Sequence, residues 1–409
     1  MRELNWAGHH AYAHTRLRRP RDESDLAETL AGASHVRAVG SRHSFNTICD
    51  TEDLLLDVTG LARPPVVDAG RGVVRVSAGT RFGDVARAVH EAGFALPNLG
   101  SLPHISVVGA ASTGTHGSGS AHRVLAAGVS RVRLMSADGA AHELTRDHPD
   151  FAGAVLALGA AGIVLDVDLD LVPTYTLRQT RRLTTWDDTR ARVREVLDDG
   201  YSVSVFTRFS DEQPTEVQRK AAPSPDAEPS PPSVLLGDEP HLTPIDEDRP
   251  WLEVLPHFRV DHRPSFGEEI QSEYFVPAER TDEAVAALTD LAPVLDAHLI
   301  VAELRSLAPD DLWLSPSGGV ATTCLHFTWH RRPAEVATMD AQLGAALASL
   351  GGRPHWGKTF DPSAFDFGAL YPRRDDARRL YDRLDPDGVF RNPFVDAALG
   401  IGSGGSSGL

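Results

Sequence analysis

Residue types that can do chemistry are concentrated in two stretches of the first third of the chain. The first, Gly40-Ser41-Arg42-His43-Ser44, follows an apolar run, and the second, residues 98–119, combines glycines, hydroxyl side chains and two histidines. Glycine lets the backbone approach a ligand closely, and successive N–H groups beside hydroxyls form a cradle for phosphate or pyrophosphate. Both stretches therefore predict anion binding, with Arg42 offsetting phosphate charge in the first. The alternative in each case is an ordinary polar loop.

Three familiar kinds of site do not fit these stretches. Arginine follows Ser41 and no helix-opening glycine comes after it, so the dinucleotide-binding fingerprint is absent. Ser101 and Ser106 lack the Gly-x-Ser-x-Gly elbow of serine hydrolases. His326 and His330 lie on one predicted strand, where two residues four positions apart are too distant to chelate one ion. We therefore predict no metal ion.

A second group of polar residues belongs to two predicted strands and a loop in the second half of the chain. Alternation places Glu303 and Arg305 on one face of the first strand. On the second strand one face carries Cys324, His326, Thr328 and His330. Lys358 follows a glycine, and a lysine near a reacting group can stabilise a developing anion. Together these residues predict a charged pocket floor, while an exposed salt bridge on a polar sheet face is the alternative.

The elements that must position these residues indicate an α+β fold. Up to about residue 175 we predict helices at 25–30, 82–92 and 150–158 and strands at 35–39, 53–57, 73–76, 129–136 and 163–172. Beyond residue 177 we predict strands at 202–206, 252–260, 271–276, 298–305 and 322–329 and helices at 281–295 and 333–350. A last helix is expected at 375–384. The second set predicts an antiparallel sheet with helices on one face.

Composition limits the partners and the compartment. The 409 residues include 40 basic and 57 acidic side chains, a net charge of −17, which disfavours nucleic acid and anionic membranes as partners. The two cysteines indicate a reduced, cytoplasmic setting. No apolar run is long enough to span a bilayer. The Pro- and acid-rich stretch 221–250 predicts a mobile surface loop, and residues 401–409 predict a flexible tail or cloning scar.

Several motifs in one order resemble a known family, the bacterial alditol oxidases (xylitol/sorbitol oxidases) of the vanillyl-alcohol oxidase flavoprotein superfamily. The resemblance runs from Asn5 to about Val395. It is carried by the stretches 40–46, 96–119, 271–274, 313–316, 326–329 and 353–358. It implies an FAD-binding domain of the p-cresol methylhydroxylase/vanillyl-alcohol oxidase type over residues 1–175, completed by residues 358–400. Residues 176–357 would form a substrate-binding cap with a large antiparallel sheet flanked by helices.

The resemblance also implies the cofactor and the residues that contact it. His43 aligns with the histidine that such oxidases bond covalently to the flavin 8α-methyl group. The FAD-contacting positions would be Gly40, Ser41, Arg42, Ser44, Ser101, Ser106, Gly109, Ala110, Ser112, Thr113 and Ile163. Arg42 departs from the glycine that the wider superfamily often has at this point.

The implied reaction is oxidation of the terminal hydroxyl of an alditol by hydride transfer to flavin N5, with O₂ reduced to H₂O₂. The implied polyol-binding and catalytic residues are Ser101, Glu303, Arg305, Thr328 and Lys358. Gly100 stands where the family commonly has alanine, and its small size should keep a path for O₂ to the flavin. A monomer acting on a small polyol and O₂ is expected. The alternative is a sugar-lactone oxidase or dehydrogenase of the same superfamily.

Overall fold

The computed structural model describes residues 3–237, 239–262 and 269–401. Its helices are α1 Glu23–Leu30, α2 Phe82–Glu91, α3 Val107–Thr113, α4 Phe151–Val155, α5 Trp186–Arg190, α6 Val193–Leu197, α7 Trp251–Val254, α8 Thr281–Leu295, α9 Pro333–Ala348, α10 Phe367–Leu370, α11 Arg374–Leu384 and α12 Pro393–Leu399. Within those described ranges, none of the helices has the length and apolar character needed to span a membrane. The predicted tail lies outside the described residues, except for Ile401.

The strands form four sheets, of which three organise the two halves of the chain. The strands are β1 Arg16–Arg18, β2 Val36–Val39, β3 Leu54–Asp57, β4 Val66–Asp68, β5 Val73–Ser77, β6 Phe94–Ala95, β7 Val129–Met135, β8 Ala141–Thr145, β9 Ile163–Asp170, β10 Val172–Pro173, β11 Thr176–Thr184, β12 Ser202–Thr207, β13 Thr215–Ala221, β14 Asp248–Pro250, β15 Glu269–Pro277, β16 Leu299–Leu307, β17 Thr322–His330 and β18 Arg353–Pro354. The predicted α+β class is confirmed.

Two small sheets make up the first half of the chain. A parallel three-stranded sheet has the order β1-β3-β2, and an antiparallel five-stranded sheet has the order β4-β5-β9-β7-β8. The loop after β2 and the loop before α3 meet between these sheets, since the Ser106 N–H donates to Ser41 Oγ at 3.2 Å. Two sheets thus bring the two glycine- and serine-rich stretches together.

The second half is organised by an eight-stranded sheet of order β14-β11-β13-β12-β16-β17-β15-β18, with antiparallel strand pairs. Helix α9 covers one face, because Asp340 accepts hydrogen bonds from Ser272 and Tyr274 of β15. Ser272 and Tyr274 pair with Phe327 and Leu325 of β17, so the apolar side chains of β17 point to the same helix-covered face. The polar side chains of the central strands therefore lie on the opposite face.

The predicted strand at 252–260 is wrong. Residues 251–254 form helix α7 instead, in which the Leu255 N–H donates to the Trp251 carbonyl at 2.9 Å. Pro256 follows and has no N–H to offer a strand ladder. Trp251 and Val254 are fully buried, so the apolar spacing reflects one face of a short helix. Strand β13 was not predicted from the sequence, because its polar residues mask the alternation.

The segment predicted as a mobile loop, residues 221–250, lies against the large sheet where the structure describes it. The Arg181 N–H donates to Ser230 Oγ at 2.8 Å, and Ser233 Oγ donates to the Glu216 carboxylate at 2.7 Å. Leu236 packs with Phe206 of β12. The segment therefore covers the outer part of the sheet and contributes an apolar side chain to it.

The last residues of the described chain return to the first sheet. The Val36 N–H donates to the Val389 carbonyl at 2.7 Å, and the Asn392 amide donates to the carbonyls of Thr47, Ile48 and Asp50 at 2.9–3.2 Å. The buried Arg37 guanidinium donates to the carbonyls of Ile48, Leu158 and Phe390. These contacts join residues 36–50 to residues 389–392.

Candidate active site

One continuous cavity lies between the first-half sheets and the polar face of the large sheet. Every site residue predicted from the sequence lines it: Gly40, Ser41, Arg42, His43, Ser44, Ser101, Ser106, Gly109, Ala110, Ser112, Thr113, Ile163, Glu303, Arg305, Thr328 and Lys358. The residues predicted to contact FAD, other than Ser101, form one wall. The residues predicted to contact substrate lie around the sheet face, with Ser101 linking the two regions.

The wall begins with the loop after β2 and the start of α3. A Cβ on Gly40 would lie 2.4 Å from Ser106 Oγ, and a Cβ on Gly109 would lie 2.7 Å from the same atom. A side chain at position 40 would also meet Ser106 Cβ at 2.9 Å, whereas at position 109 the Ser106 hydroxyl is the one group that would have to move. Because the first N–H groups of a helix have no partner within the helix, the start of α3 supplies donors to this wall. The residues of the predicted cradle line this wall of the cavity.

Arg42 has a different role from the one predicted. Its backbone adopts a φ of 58° in the left-handed region. Its guanidinium donates to Asp57 Oδ2 at 3.0 Å and lies 3.5 Å from the Glu3 carboxylate. Its charge is thus offset by two carboxylates, contrary to the expectation that it offsets a phosphate. Arg42 still lines the cavity and sets the turn that presents the next residue.

His43 stacks on Trp6, with ring centroids 4.3 Å apart and planes inclined by 25°. Both of its ring nitrogens are closed off from solvent, and neither has a hydrogen-bond partner of normal geometry among the described residues. Burial lowers the pKa of His43 to about 3, so the imidazole is neutral at physiological pH. His43 therefore lines the cavity as a neutral imidazole.

The sheet face opposite His43 carries a row of charged side chains on adjacent strands. Glu303 of β16 pairs across the sheet with His326 of β17, which in turn pairs with Glu273 of β15. Arg305 lies two residues along β16, and Thr328 lies two residues along β17, on the same face. The alternation predicted from the sequence for these two strands is confirmed.

Glu273 lies at one end of this row, and its side chain is only 1% exposed. Its carboxylate accepts from the Arg305 guanidinium, lies 2.7 Å from Lys358 Nζ, and lies 3.2 Å from His116 Nε2. Burial alone would raise the pKa of Glu273, but Lys358, Arg305 and His116 outweigh burial and hold this pKa well below its usual range. Glu273 is therefore an anion that holds two cations beside the cavity.

Lys358 and His326 form the second contact pair. The His326 Nδ1 atom lies 2.7 Å from Lys358 Nζ, and its Nε2 atom lies 3.1 Å from Thr328 Oγ1. Burial and the neighbouring Lys358 cation together lower the pKa of His326 to about 4. Burial also lowers the pKa of Lys358, while Glu273 opposes that change. A neutral imidazole thus accepts a hydrogen bond from the lysine.

Ser101 and Glu303 complete the site. Arg305 donates to Ser101 Oγ at 3.3 Å, which joins the loop before α3 to the sheet. The Glu303 carboxylate lies 2.8 Å from His257 Nε2. Burial would raise the pKa of Glu303, but Arg305 and His257 outweigh burial and hold it well below its usual range. The site therefore presents a carboxylate, a hydroxyl and two cations to one small volume.

Sequence reasoning missed Glu273, His257 and Lys220 as functional residues. Glu273 lies in a motif noted above, and Gln271 two positions earlier shares its face, so alternation could have placed it on the pocket floor. His257 falls in the segment misread as a strand. The histidine and acidic side chains His116, Glu273 and His355 have ligand atoms within 4.8 Å of one another, but Arg305 and Lys358 already contact that carboxylate and would repel a divalent ion.

Comparisons with known proteins identify the family of this chain. Residues 15–145 match an FAD binding domain family, and residues 258–398 match the D-arabinono-1,4-lactone oxidase family. An alditol oxidase of a Streptomyces species is 39% identical over 407 residues, which cover 96% of this chain and 97% of that protein. The chain belongs to the alditol oxidase family. Its cofactor is FAD, and the family resemblance predicted from the sequence is confirmed.

Other similar proteins have lower sequence identity to this chain. An L-gulono-1,4-lactone dehydrogenase of Mycobacterium tuberculosis is 29% identical, with 97% of this chain and 98% of that protein covered. The cholesterol oxidase of Brevibacterium sterolicum superimposes with a TM-score of 0.77 at 13% identity, covering 97% of this chain and 96% of that one. The same fold therefore occurs in distant proteins, and the predicted two-part fold class is confirmed.

Proposed function

We propose that this protein is an alditol oxidase that converts the terminal hydroxyl of an open-chain polyol, such as xylitol or sorbitol, to the aldehyde of the aldose, with O₂ as the electron acceptor. The observation that carries the proposal is that Ser101, Glu303, Arg305, Thr328 and Lys358 line one cavity, which His43 also lines. The alditol oxidase relative, at 39% identity over nearly the full length, supports it.

The polar side chains recognise a chain of hydroxyl groups. The Glu303 carboxylate accepts a hydrogen bond from a substrate hydroxyl, and the Ser101 and Thr328 hydroxyls each donate or accept one. These groups come from one loop and two adjacent strands, so their spacing is set by rigid elements. Several hydrogen bonds along one chain hold its terminal carbon in a single place, which is the condition for a reactive geometry.

The two cations promote loss of the terminal hydroxyl proton. Arg305 and Lys358 lie on either side of the Glu273 carboxylate, and both line the cavity. A positive charge beside the hydroxyl oxygen stabilises the negative charge that develops as the proton leaves. In a buried site this stabilisation is stronger than in water. Glu273 keeps Lys358 protonated, because an adjacent anion raises the pKa of an amine.

The first-half wall fits FAD. Gly40 and Gly109 leave room around Ser106, the start of α3 supplies N–H donors for the pyrophosphate, and the unpartnered His43 imidazole is the covalent attachment point for the flavin. FAD, when bound, accepts the two electrons of the alcohol and passes them to O₂, which yields H₂O₂.

The test is anaerobic mixing of the purified yellow protein with a panel of alditols and aldonolactones. Bleaching of the flavin by xylitol or sorbitol, and H₂O₂ release when air is admitted, are the expected results. If no open-chain polyol bleaches the flavin, the protein is not an alditol oxidase. Flavin that stays with the acid-precipitated polypeptide supports attachment through His43, whereas flavin that washes off excludes it.

A second candidate is a sugar-lactone oxidase or dehydrogenase. The match of residues 258–398 to the D-arabinono-1,4-lactone oxidase family favours it. In the same panel this activity would appear as bleaching by aldonolactones without bleaching by polyols. Rapid turnover with artificial dyes and slow reaction with O₂ would identify a dehydrogenase.

A further inference from the structure

A buried lysine, Lys220, contacts His257, which in turn contacts Glu303. Lys220 is 2% exposed, and its Nζ atom donates to the Leu255 carbonyl at 2.6 Å and lies 3.3 Å from the Pro256 carbonyl. The same Nζ atom lies 3.5 Å from His257 Nδ1. A fully buried lysine is uncommon and requires specific partners. Its partners here are two backbone carbonyls, those of Leu255 and Pro256, and the His257 imidazole.

His257 connects this lysine to the site. Its Nε2 atom lies 2.8 Å from Glu303 Oε1, and its backbone N–H donates to the Ser101 carbonyl at 3.1 Å. An ammonium group can only donate hydrogen bonds, and an ionised carboxylate can only accept them. The imidazole between them must therefore accept at Nδ1 and donate at Nε2. Burial lowers the pKa of His257, and Lys220 lowers it further, which keeps the ring neutral.

We propose that His257 is a positioning residue for Glu303, and that Lys220, by donating to Nδ1, supports the Nε2–H tautomer that this role needs. The ion-pair contacts of Glu303 with His257 and Arg305 are both made to Oε1, which leaves Oε2 as the oxygen that accepts a substrate hydroxyl. The inference rests on the proposed function, in which Glu303 binds the polyol.

The contacts from Lys220 to His257 and from His257 to Glu303 join two strands of the large sheet that are not neighbours. Lys220 lies on β13, which is two strands away from Glu303 on β16 in the sheet. The edge of the His257 ring contacts Phe206 of β12, with centroids 5.5 Å apart and planes inclined by 64°. The ring is thus held by packing and by one hydrogen-bonding partner at each nitrogen. Such a locked donor fixes a carboxylate rotamer better than a solvent molecule would.

The kinetic test compares four variants by anaerobic flavin reduction over a range of xylitol concentrations. We expect His257→Leu to raise the half-saturating xylitol concentration by about 10- to 100-fold, the value of one hydrogen bond to a charged group. Its limiting reduction rate should change far less. We expect His257→Gln, which retains an N–H donor, to recover most of this loss. Lys220→Met should raise the half-saturating concentration, although it leaves His257 in the chain.

Thr243→Val is the matched control for Lys220→Met. Thr243 Oγ1 donates to the Pro256 carbonyl at 3.1 Å, so it anchors the same turn without touching the His257 ring. If Lys220 acts on the tautomer, Thr243→Val should stay within about twofold of wild type, the spread expected of a substitution that removes no contact to the site. Equal effects of the two variants would overturn the role of Lys220.

A nitrogen NMR spectrum of the histidine-labelled holoprotein gives a readout that does not depend on turnover. The resonances that disappear in His257→Gln identify the ring. We expect the neutral Nε2–H form in wild type and a shifted Nδ1 resonance in Lys220→Met, because that nitrogen loses its hydrogen-bond donor. A ring protonated on both nitrogens, or unchanged half-saturation in His257→Leu, would refute the inference. If no alditol bleaches the wild-type flavin, the proposed function fails, and the tautomer spectrum still decides whether Lys220 fixes the ring.

Discussion

Replacing Glu273 by glutamine tests the charge arrangement on which the site depends. The variant keeps the shape of the side chain and removes one negative charge from between two cations. In the native protein that charge lies 2.7 Å from Lys358 Nζ and also contacts Arg305 and His116. Glu273, Arg305 and His116 are at most 6% exposed, so water replaces the lost partner only in part. The substitution therefore leaves two cations without their shared anion.

The expected cost follows from the burial. Removing one partner of a buried ion pair destabilises a protein by about 3–5 kcal/mol. Glu273 has a folded-state pKa well below its usual range, so its contribution is complete above the unfolded pKa of about 4.3 and is lost as pH falls toward the folded pKa. The difference in unfolding free energy between wild type and Glu273→Gln should therefore be constant from about pH 5 to about pH 8. It should shrink by about 1.4 kcal/mol per pH unit below pH 4.3.

The catalytic effect has a definite sign. Glu273 supports the protonated form of Lys358, so its removal lowers the pKa of that amine. The alkaline limb of the pH profile of kcat/KM should move to lower pH, by about 1–3 units. Urea unfolding of the holoprotein at several pH values measures the first effect. Steady-state xylitol oxidation across the same pH range measures the second.

Glu216→Gln provides the matched control. Glu216 is a buried carboxylate of the same sheet that contacts Arg181 at 3.6 Å and accepts from Ser233, and it does not line the cavity. We expect this variant to lose stability without any shift of the kcat/KM profile. If Glu273→Gln behaves like Glu216→Gln, or if its alkaline limb stays in place, the assignment of Glu273 as the partner of Lys358 is refuted.

Three further substitutions test other parts of the site and the fold. Lys358→Met should slow anaerobic flavin reduction by xylitol by about 10²–10³-fold, the usual loss when one group stabilising a developing anion is removed; a change below tenfold, or roughly 1.4 kcal/mol, would contradict its role. His43→Ala should bind FAD that separates from the polypeptide on acid precipitation, and retained flavin would show that another residue carries the link. Arg37→Leu should lower the unfolding free energy by roughly 3 kcal/mol, because the buried carbonyls of Leu158 and Phe390 lose their donor and the Ile48 carbonyl keeps only that of Asn392. Urea denaturation checks this last value, and an unchanged midpoint would refute it.

Alternation made half of the site predictable. Glu303 and Arg305 are two positions apart on one strand, so the sequence alone places them on one face, and the structure agrees. Sequence could not predict that His326 lies between Glu303 and Glu273, because that arrangement depends on the pairing of three strands that are far apart in the chain. Strand register is set by tertiary packing and by turns, which local periodicity does not report.

The failures have local physical reasons. The run 252–260 contains apolar residues at a spacing that fits either a strand or a short helix. Pro256 and the burial of Trp251 favour the helix. Arg42 was expected to face an anion because it lies in a glycine- and serine-rich loop, yet a positive φ turns its side chain toward Asp57. Both cases depend on partners that are distant in sequence.

The way the first loop is closed has a consequence for biosynthesis. The Phe45 N–H donates to the Gly357 carbonyl at 2.8 Å, and the Asn46 amide donates to the carbonyls of Trp356 and Lys358 at 2.7–2.9 Å. A ribosome must therefore add more than three hundred further residues, roughly twenty seconds or more of synthesis, before the loop that carries His43 meets its partners. The flavin-binding wall cannot be completed during translation of its own residues, and cofactor capture becomes one of the last events in the maturation of the chain.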